Sequence, residues 1–457
     1  MYHEAVARLG WLALLTCGAG CGLTLDLSPA PSVSADGDVG RDGAVMRDGA
    51  VLDASGVDGF GGDGGPDAGP AVSGPCGGPT VLEDDFTGGG RRAAWEAYVV
   101  GRATIEQTGG QLRVRPAASP SIFDYASYLS KFAVDLRGSW VAVEVPEAGA
   151  SDPTGSASAF LNVYDATGAE LTMTYTVGEL AYGLLSALDV VSIPYSPTAH
   201  RWWRVREDAG TVHFEASPDG VTWNPLPGGT RPAPGWVEAA FMEIGGAYDI
   251  LSDTVIAFDN FNLDGMPPRV PTTFCPAMTL VDDFDDGVLS PQWDRWLSPV
   301  AGCTADEVPG LANFTSYEGG VGECQFVTTR RFDLHGEGAF IHIPSITDYT
   351  PETGFVFEVY DLQDNWAGLA FAAGELSAYT PVAWMDLGYG GSVAYWRIRA
   401  MGTDLEMATS EDGVTYAPVV SLAAGLDTGA CGMVFGVRAA APMSRSINIS
   451  VRGFNTD

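Results

Sequence analysis

The stretch "HRWWRVREDAGTVHFEASPDGVTWNP" runs from His200 to Pro225. It aligns without a gap to "VAYWRIRAMGTDLEMATSEDGVTYAP", Val393 to Pro418. Trp203 falls on Trp396. Arg204, Arg206, Ser217, Asp219, Gly220, Val221 and Thr222 recur at the same shift. Working outward, "DDF" at Asp84–Phe86 recurs at Asp282–Phe284, "VYD" at Val163 recurs at Val359, and "GEL" at Gly178 recurs at Gly374. "DNFNL" closes the first copy and "RGFN" the second. Short matches in one order, with nearly one spacing, indicate a duplicated domain. The copies span 76–265 and 275–457, joined through the proline-bearing "MPPRVPTTF", a short semi-rigid connector.

Each copy of the phrase reads as a β-meander. In Trp202–Arg206 large apolar residues alternate with arginine, "EDAG" is a turn, and Val212, Phe214 and Ala216 alternate again. If "EDAG" closes the hairpin at Glu207 and Gly210, Trp203 faces Phe214 and Val205 faces Val212. In the second copy Trp396 then faces Met407, and Ile398 faces Leu405. An apolar face is kept in both. Asp-Gly in the "S-x-D-G-V-T" phrase supplies the positive φ of a tight turn. The expected fold class is all-β: two tandem jelly-roll β-sandwiches behind a disordered N-terminal linker.

These residues resemble the concanavalin A-like lectin/glucanase sandwich in its laminin-G-like range. The likeness is carried by "DDF", by "W-R-[VI]-R…S-x-D-G-V-T-[WY]" and by the closing "F-D-N-F". It implies two antiparallel sheets per copy, often binding carbohydrate, sometimes through calcium, and sometimes hydrolysing glucans. The motifs are structural and indicate fold more than activity.

Composition narrows the function. Lys+Arg is 23 against Asp+Glu 58, a formal net charge of −35, which repels nucleic-acid phosphates and anionic lipid. Lys131 is the only lysine, so lysine-based covalent chemistry has almost no candidate. The glucanase branch of the fold uses an E-x-D-x-x-E strand. "MEIGGAYD" and "FEVYDLQD" come closest and have the wrong spacing. No G-x-S-x-G elbow or P-loop is present. The expectation is a non-enzyme that binds a glycan or another envelope ligand. The alternatives are a structural or adhesion protein without a sugar site, and an unrecognised glycoside hydrolase.

The sugar-site candidates are the outward residues of the repeated hairpin: Trp202 and Arg204 with Arg206, and Tyr395 and Arg397 with Arg399. An aromatic ring beside guanidiniums can stack on a sugar and donate to its hydroxyls. The competing reading is internal neutralisation, with Arg397 opposite Glu406 and Trp202 opposite Glu215. No cofactor is expected. Asp84/Asp85 and Asp282/Asp283, with Asp285 and Asp286, are the residues where calcium is conceivable, against a reading as solvated strand-entry acids. His335 and His342 share a segment, but nothing completes a zinc set.

The N-terminus reads as an export signal. "LGWLALLTCGAGC" has a short apolar core, too short to span a bilayer, followed by small residues. "GAGC" resembles the lipobox of bacterial lipoproteins. That resemblance implies cleavage after residue 20 and acylation of Cys21, with Cys17 a poorer match. It also implies an outer-membrane protein, because Gly22 rather than Asp follows the cysteine. Its domains would be surface-exposed, or otherwise periplasmic, and the lipid would be its membrane contact. Residues 21–75 are a lipidated cysteine and a Gly/Asp-rich tether that cannot bury enough apolar area to order itself. Five cysteines remain in an oxidising compartment. Cys303 and Cys324 flank one insertion and are paired. Cys275 and Cys431 pair by elimination, and Cys76 is left free or intermolecular. Other pairings also satisfy the count.

Overall fold

The computed structural model describes residues 76–88, 93–115, 124–149, 151–152, 155–248, 255–263, 274–298, 302–344, 353–388, 394–439 and 446–456. Cys21, the tether and most of the connector lie outside these residues. The described chain is built of antiparallel β-sheets, one short parallel pair (Cys275–Pro276 with Phe332–Asp333) and short 3-10 turns.

The first sandwich packs two sheets. One runs, in hydrogen-bonded order, Trp95–Val100, Asp124–Ser130, Phe241–Tyr248, Gly155–Tyr164, Glu170–Thr176, Glu179–Leu184 and Asp189–Pro194. The other runs Asn224–Pro232, Thr211–Ser217, Trp202–Asp208, Trp140–Glu147, Ile256–Asp259, Gln111–Arg115 and Thr104–Thr108. Alternate residues of both sheets meet in one core that includes Trp95, Leu161, Met173, Trp203, Phe214 and Phe258.

The second sandwich repeats the plan. Its seven-stranded sheet is ordered Trp293–Leu297, Gly322–Thr328, Gly432–Ala439, Thr353–Tyr360, Trp366–Ala372, Glu375–Thr380 and Ala383–Asp386. The opposing layer is split into a five-stranded and a three-stranded sheet. Its separate core includes Trp293, Phe314, Phe326, Trp396 and Phe435. The all-β, two-sandwich architecture expected from the repeat is the one observed.

The register of the repeated hairpin corrects the expectation by one pair. Trp203 faces Ala216 and Val205 faces Phe214, while Trp396 faces Thr409 and Ile398 faces Met407. The cause is the turn. Asp208 pairs with Thr211, and the two loop residues Ala209 and Gly210 have φ of 49° and 80°. Both central residues are left-handed, the geometry that matches strand twist in two-residue hairpins. A shift of two residues keeps every side chain on its face, so Trp203 and Trp396 are fully buried as predicted.

The "S-x-D-G-V-T" turns are the same in both copies. Gly220 and Gly413 have φ of 74° and donate N–H to Ser217 Oγ (2.9 Å) and Ser410 Oγ (3.0 Å). Asp219 and Asp412 accept from the Thr222 and Thr415 amides at 2.7 Å. Those amide bonds hold both carboxyls down at about 2.

The cysteine pairing is corrected in part. Cys303–Cys324 is bonded as expected. Cys275, however, pairs with Cys76, across 199 residues at a Cα separation of 4.9 Å, and Cys431 is a buried free thiol. Cys275 lies beside Phe332 in one strand pair, and Cys431 lies beside Phe332 on its other flank. Two strand spacings, about 9.6 Å, then separate Cys275 from Cys431, too far for a bridge. The entry segments of the two sandwiches meet instead. Elimination within one copy failed because the partner came from the other.

Candidate functional site

The predicted ligand residues are built into the sandwich. Trp202 and Arg204 are buried. The Trp202 ring lies against Gly220, where an added Cβ would come within 2.8 Å of it. The Arg204 guanidinium stacks 4.1 Å over Trp223 and pairs with Glu215 at 2.6 Å. Glu215 faces Arg204, and Trp202 faces Ser217. In the second copy Tyr395 stacks on His342 at 4.2 Å, and Arg397 stacks 4.0 Å over Tyr416 and shares Glu406 with Arg399. Arg399 rather than Arg397 is the residue facing Glu406. The guanidiniums pair with carboxylates of the neighbouring strand and stack on the half-buried rings of Trp223 and Tyr416.

The strand-entry acids serve as turn caps: Asp84 and Asp282 accept from the amides of Phe86 (2.8 Å) and Phe284 (2.9 Å). Among the described residues no group of three or more His, Cys, Asp or Glu is arranged to hold a metal ion. His335 pairs with Asp333, while His342 lies on Tyr395.

The structure instead draws attention to the outward faces of the first sandwich's eight-stranded sheet and the second sandwich's seven-stranded sheet. In the second sandwich Phe355, Phe357 and Val359 point into the core, so Val356, Glu358 and Tyr360 point out. A cross-strand row on that face reads Trp384, Tyr379, Gly368, Glu358, Val434 and Val327. Glu358 accepts from the Tyr379 hydroxyl and from both terminal nitrogens of Arg438, each of the latter at 2.7 Å. Burial raises its carboxyl to about 7 against the pull of Arg438. Arg438 also pairs with Glu323 at 2.9 Å, so two carboxylates share one guanidinium.

Two aromatic pairs flank this centre. Trp384 is 64 % exposed and stacks on Tyr379 at 5.4 Å and 20°. Its indole N–H donates to Asp386 at 2.9 Å, which holds that carboxyl below its usual range. Tyr360 and Trp366 stack at 4.6 Å and 13°.

The first sandwich carries a related centre. Glu243 lies on the outward face and faces Asn162 across the strand pair, as Val434 faces Glu358 in the second copy. The acid has thus moved to the neighbouring strand. Glu243 accepts from the Tyr125 hydroxyl and from Asn162 Nδ2, the latter at 3.3 Å. Burial raises its carboxyl. Burial, then the charge of Glu243, pushes the Tyr125 and Tyr164 hydroxyls well up. Tyr125 stacks on Phe160 at 5.3 Å, and Tyr164 on Phe241 at 5.8 Å.

The sequence contained both centres. Glu243 is the acid of "MEIGGAYD" and Glu358 that of "FEVYDLQD", the two stretches set aside for their spacing. Spacing along one strand misses a site whose other members come from neighbouring strands.

No protein-family model matches the chain, and no curated protein matches it. Among solved structures it is similar to the catalytic domain of an endo-1,3-beta-glucanase (laminarinase) from Thermotoga petrophila. Identity is 10 %, with 38 % of this chain and 94 % of that one covered and a TM-score of 0.31. It is also similar to a xylan beta-1,4-xylosidase from Bacillus halodurans, at 11 % identity, 77 % and 64 % coverage and a TM-score of 0.30. An alginate lyase of polysaccharide lyase family 7 matches at 12 % identity, 35 % and 82 % coverage and a TM-score of 0.24. The expectation of a non-enzyme is corrected here. These neighbours are glycoside hydrolases and a lyase, and the lack of one branch's E-x-D-x-x-E strand is no ground for excluding catalysis.

Proposed function

We propose that the protein engages neutral carbohydrate on the outward face of the second sandwich's seven-stranded sheet. The observation that carries this is Trp384: an exposed indole stacked on Tyr379, in the same cross-strand row as Glu358. An indole face takes the apolar face of a pyranose, and Asp386 beside it accepts from sugar hydroxyls. The charge of −35 disfavours polyanionic glycans and leaves neutral ones. The test is isothermal titration with soluble neutral polysaccharides, including a β-1,3-glucan and a xylan. Trp384→Ala is expected to weaken binding about tenfold or more, and wild-type protein that binds none of them ends the reading.

Hydrolysis on the same face is a second reading, favoured by one observation. Arg438 bridges Glu358 and Glu323, and burial raises the Glu358 carboxyl to about 7, so the sheet holds two carboxyls in different environments. Reducing-sugar release that is lost in Glu358→Gln supports it; no release from any bound polysaccharide removes it.

We further propose the cellular setting: Cys21 carries the lipid of an outer-membrane lipoprotein, and the tether holds the sandwiches away from the bilayer. The apolar core before Cys21 and the acidic stretch after it support this.

A further inference from the structure

The two sandwiches meet through equivalent segments. The residues after Asp124–Ser130 in the first and after Gly322–Thr328 in the second are joined by a bond from the Ala133 amide to the Thr329 carbonyl at 2.7 Å. Asp135 N–H donates to Gly77 O at 2.9 Å, beside the Cys76–Cys275 bridge. Phe132 stacks edge-on against Phe274 at 5.6 Å, and Leu362 of the second sandwich packs against the core of the first. Covalent, apolar and backbone contacts together fix this joint.

Lys131, the chain's one lysine, belongs to it. Its ammonium donates to Leu362 O at 3.0 Å and lies 3.6 Å from Asp364. Leu362 and Asp364 sit in the loop between Tyr360 and Trp366, which Asp361 ties from within by accepting from the Gln363 and Asn365 amides. The Arg331 guanidinium lies 4.0 Å over the Tyr360 ring. The pair Tyr360–Trp366 is therefore held at the joint end of its sheet by contacts from both sandwiches. The first sandwich has its own outward pair at the corresponding end. Tyr164, which the "VYD" repeat places over Tyr360, stacks on Phe241, next to Ala240, which bridges Val134 of the joint.

We infer that a glycan chain engaged on the second sandwich continues across the joint onto the first, occupying both aromatic pairs, with Lys131 as the positioning residue between them. This rests on the carbohydrate reading above. It makes the ligand a polymer rather than a short oligosaccharide, and it gives the duplication a purpose. Two weak sites held at fixed separation act on one chain with a high effective concentration.

The test uses the full chain, a β-1,3-glucan and a xylan, and the trisaccharide of each. The polymer is expected to bind at least tenfold more tightly per chain than its trisaccharide. Tyr164→Ala, on the first sandwich, is expected to erase most of that gain and the first sandwich's own weak trisaccharide site, while the second sandwich keeps its trisaccharide site at Trp384. Tyr164→Phe keeps the ring and should keep the gain, which separates stacking from loss of fold. Lys131→Met should lower polymer affinity with the trisaccharide unaffected. Equal affinity for polymer and trisaccharide, or a polymer gain that survives Tyr164→Ala, overturns the inference and leaves the carbohydrate reading standing. No binding of either probe by wild type removes both.

Discussion

The Tyr379 hydroxyl donates to Glu358 from two strands away, and it passes over Gly368, the residue between them in the cross-strand row. A Cβ at Gly368 would lie 2.8 Å from the Glu358 Cα and 2.9 Å from its Cγ. The glycine is thus a gap that lets a phenol reach a buried carboxyl. Gly245 plays the corresponding part in the first sandwich, on the outward face between Ala247, which faces Tyr125, and Glu243.

Gly368→Ala should therefore do more than crowd a strand. Overpacking alone costs about 1–3 kcal/mol. The displaced Tyr379 and Trp384 should also lose the stacked geometry, so glycan binding should fall further than Tm does. Thermal melts beside titrations check this. Wild-type glycan binding by the Gly368→Ala variant would show that the Tyr379–Glu358 contact does not shape the site.

Glu307 gives a pH dependence. It is buried, and burial first, then Asp286 and Asp282, raise its carboxyl to about 8. Asp282 is itself raised to about 6, by burial first. An acid with a folded-state pKa above its unfolded value of about 4.3 binds more protons when folded. Stability is then greatest at low pH and declines as pH rises from about 4 to 8, by on the order of 2–4 kcal/mol for this group. The first sandwich has Gln107 at the same position of its hairpin: Gln107 faces Leu112 as Glu307 faces Ala312. Glu307→Gln should accordingly raise Tm at pH 9 and change it little at pH 5. Equal shifts at both pH values would show that Glu307 is not charged against its neighbours.

The thiols have a distinct signature. Cys431 is buried, its Sγ donates to Asp427 O at 3.2 Å, and burial pushes its pKa up. In native protein it should resist alkylation and react only on unfolding. Peptide mapping should recover Cys76–Cys275 and Cys303–Cys324 bridges. A Cys275–Cys431 bridge in the map would refute the joint. Removing the long bridge by Cys76→Ser should cost on the order of 2–5 kcal/mol.

Because each sandwich has its own core, we expect fragments 76–265 and 275–457 each to fold, with Trp203→Ala and Trp396→Ala costing about 3–5 kcal/mol in their own fragment. Circular dichroism of the two fragments is the check, and a fragment without a cooperative melt would mean that the joint is needed for folding.

What could be read in advance divides along a physical line. The duplication, the sandwich class and the inward Trp203 and Trp396 were legible because alternation along a strand is local and survives a shift of two in register. The exact hairpin register was not, since it turned on whether Ala209 and Gly210 or their neighbours took the left-handed positions. Arg204 and Arg397 were visible as outward residues, but their partners Trp223 and Tyr416 come from beyond the next turn. Glu358, Tyr379 and Arg438 lie on three strands far apart in the chain, and no single-strand motif unites them. The Cys76–Cys275 bridge crosses between copies, where reasoning within one copy could not reach it.

The anchor prediction concerns Cys21. An apolar run too short to span, small residues at Ala19 and Gly20, and a long Gly/Asp-rich stretch after the cysteine are explained together by acylation at that thiol. One acyl chain holds a protein to a membrane only marginally, whereas two or more hold it stably. The mature protein should therefore partition into detergent and take up a fatty-acid analogue during metabolic labelling. Cys21→Ser should give unlabelled precursor or soluble protein. Cys17→Ser should change little, because Thr16 occupies the position where a small Gly or Ala is needed before the cleavage-site cysteine. Wild type without label, or a Cys21→Ser variant labelled as strongly as wild type, would rule out the anchor at this position. Protease shaving of intact cells then reads the side: digestion of the sandwiches places them outside, and their survival places them in the periplasm.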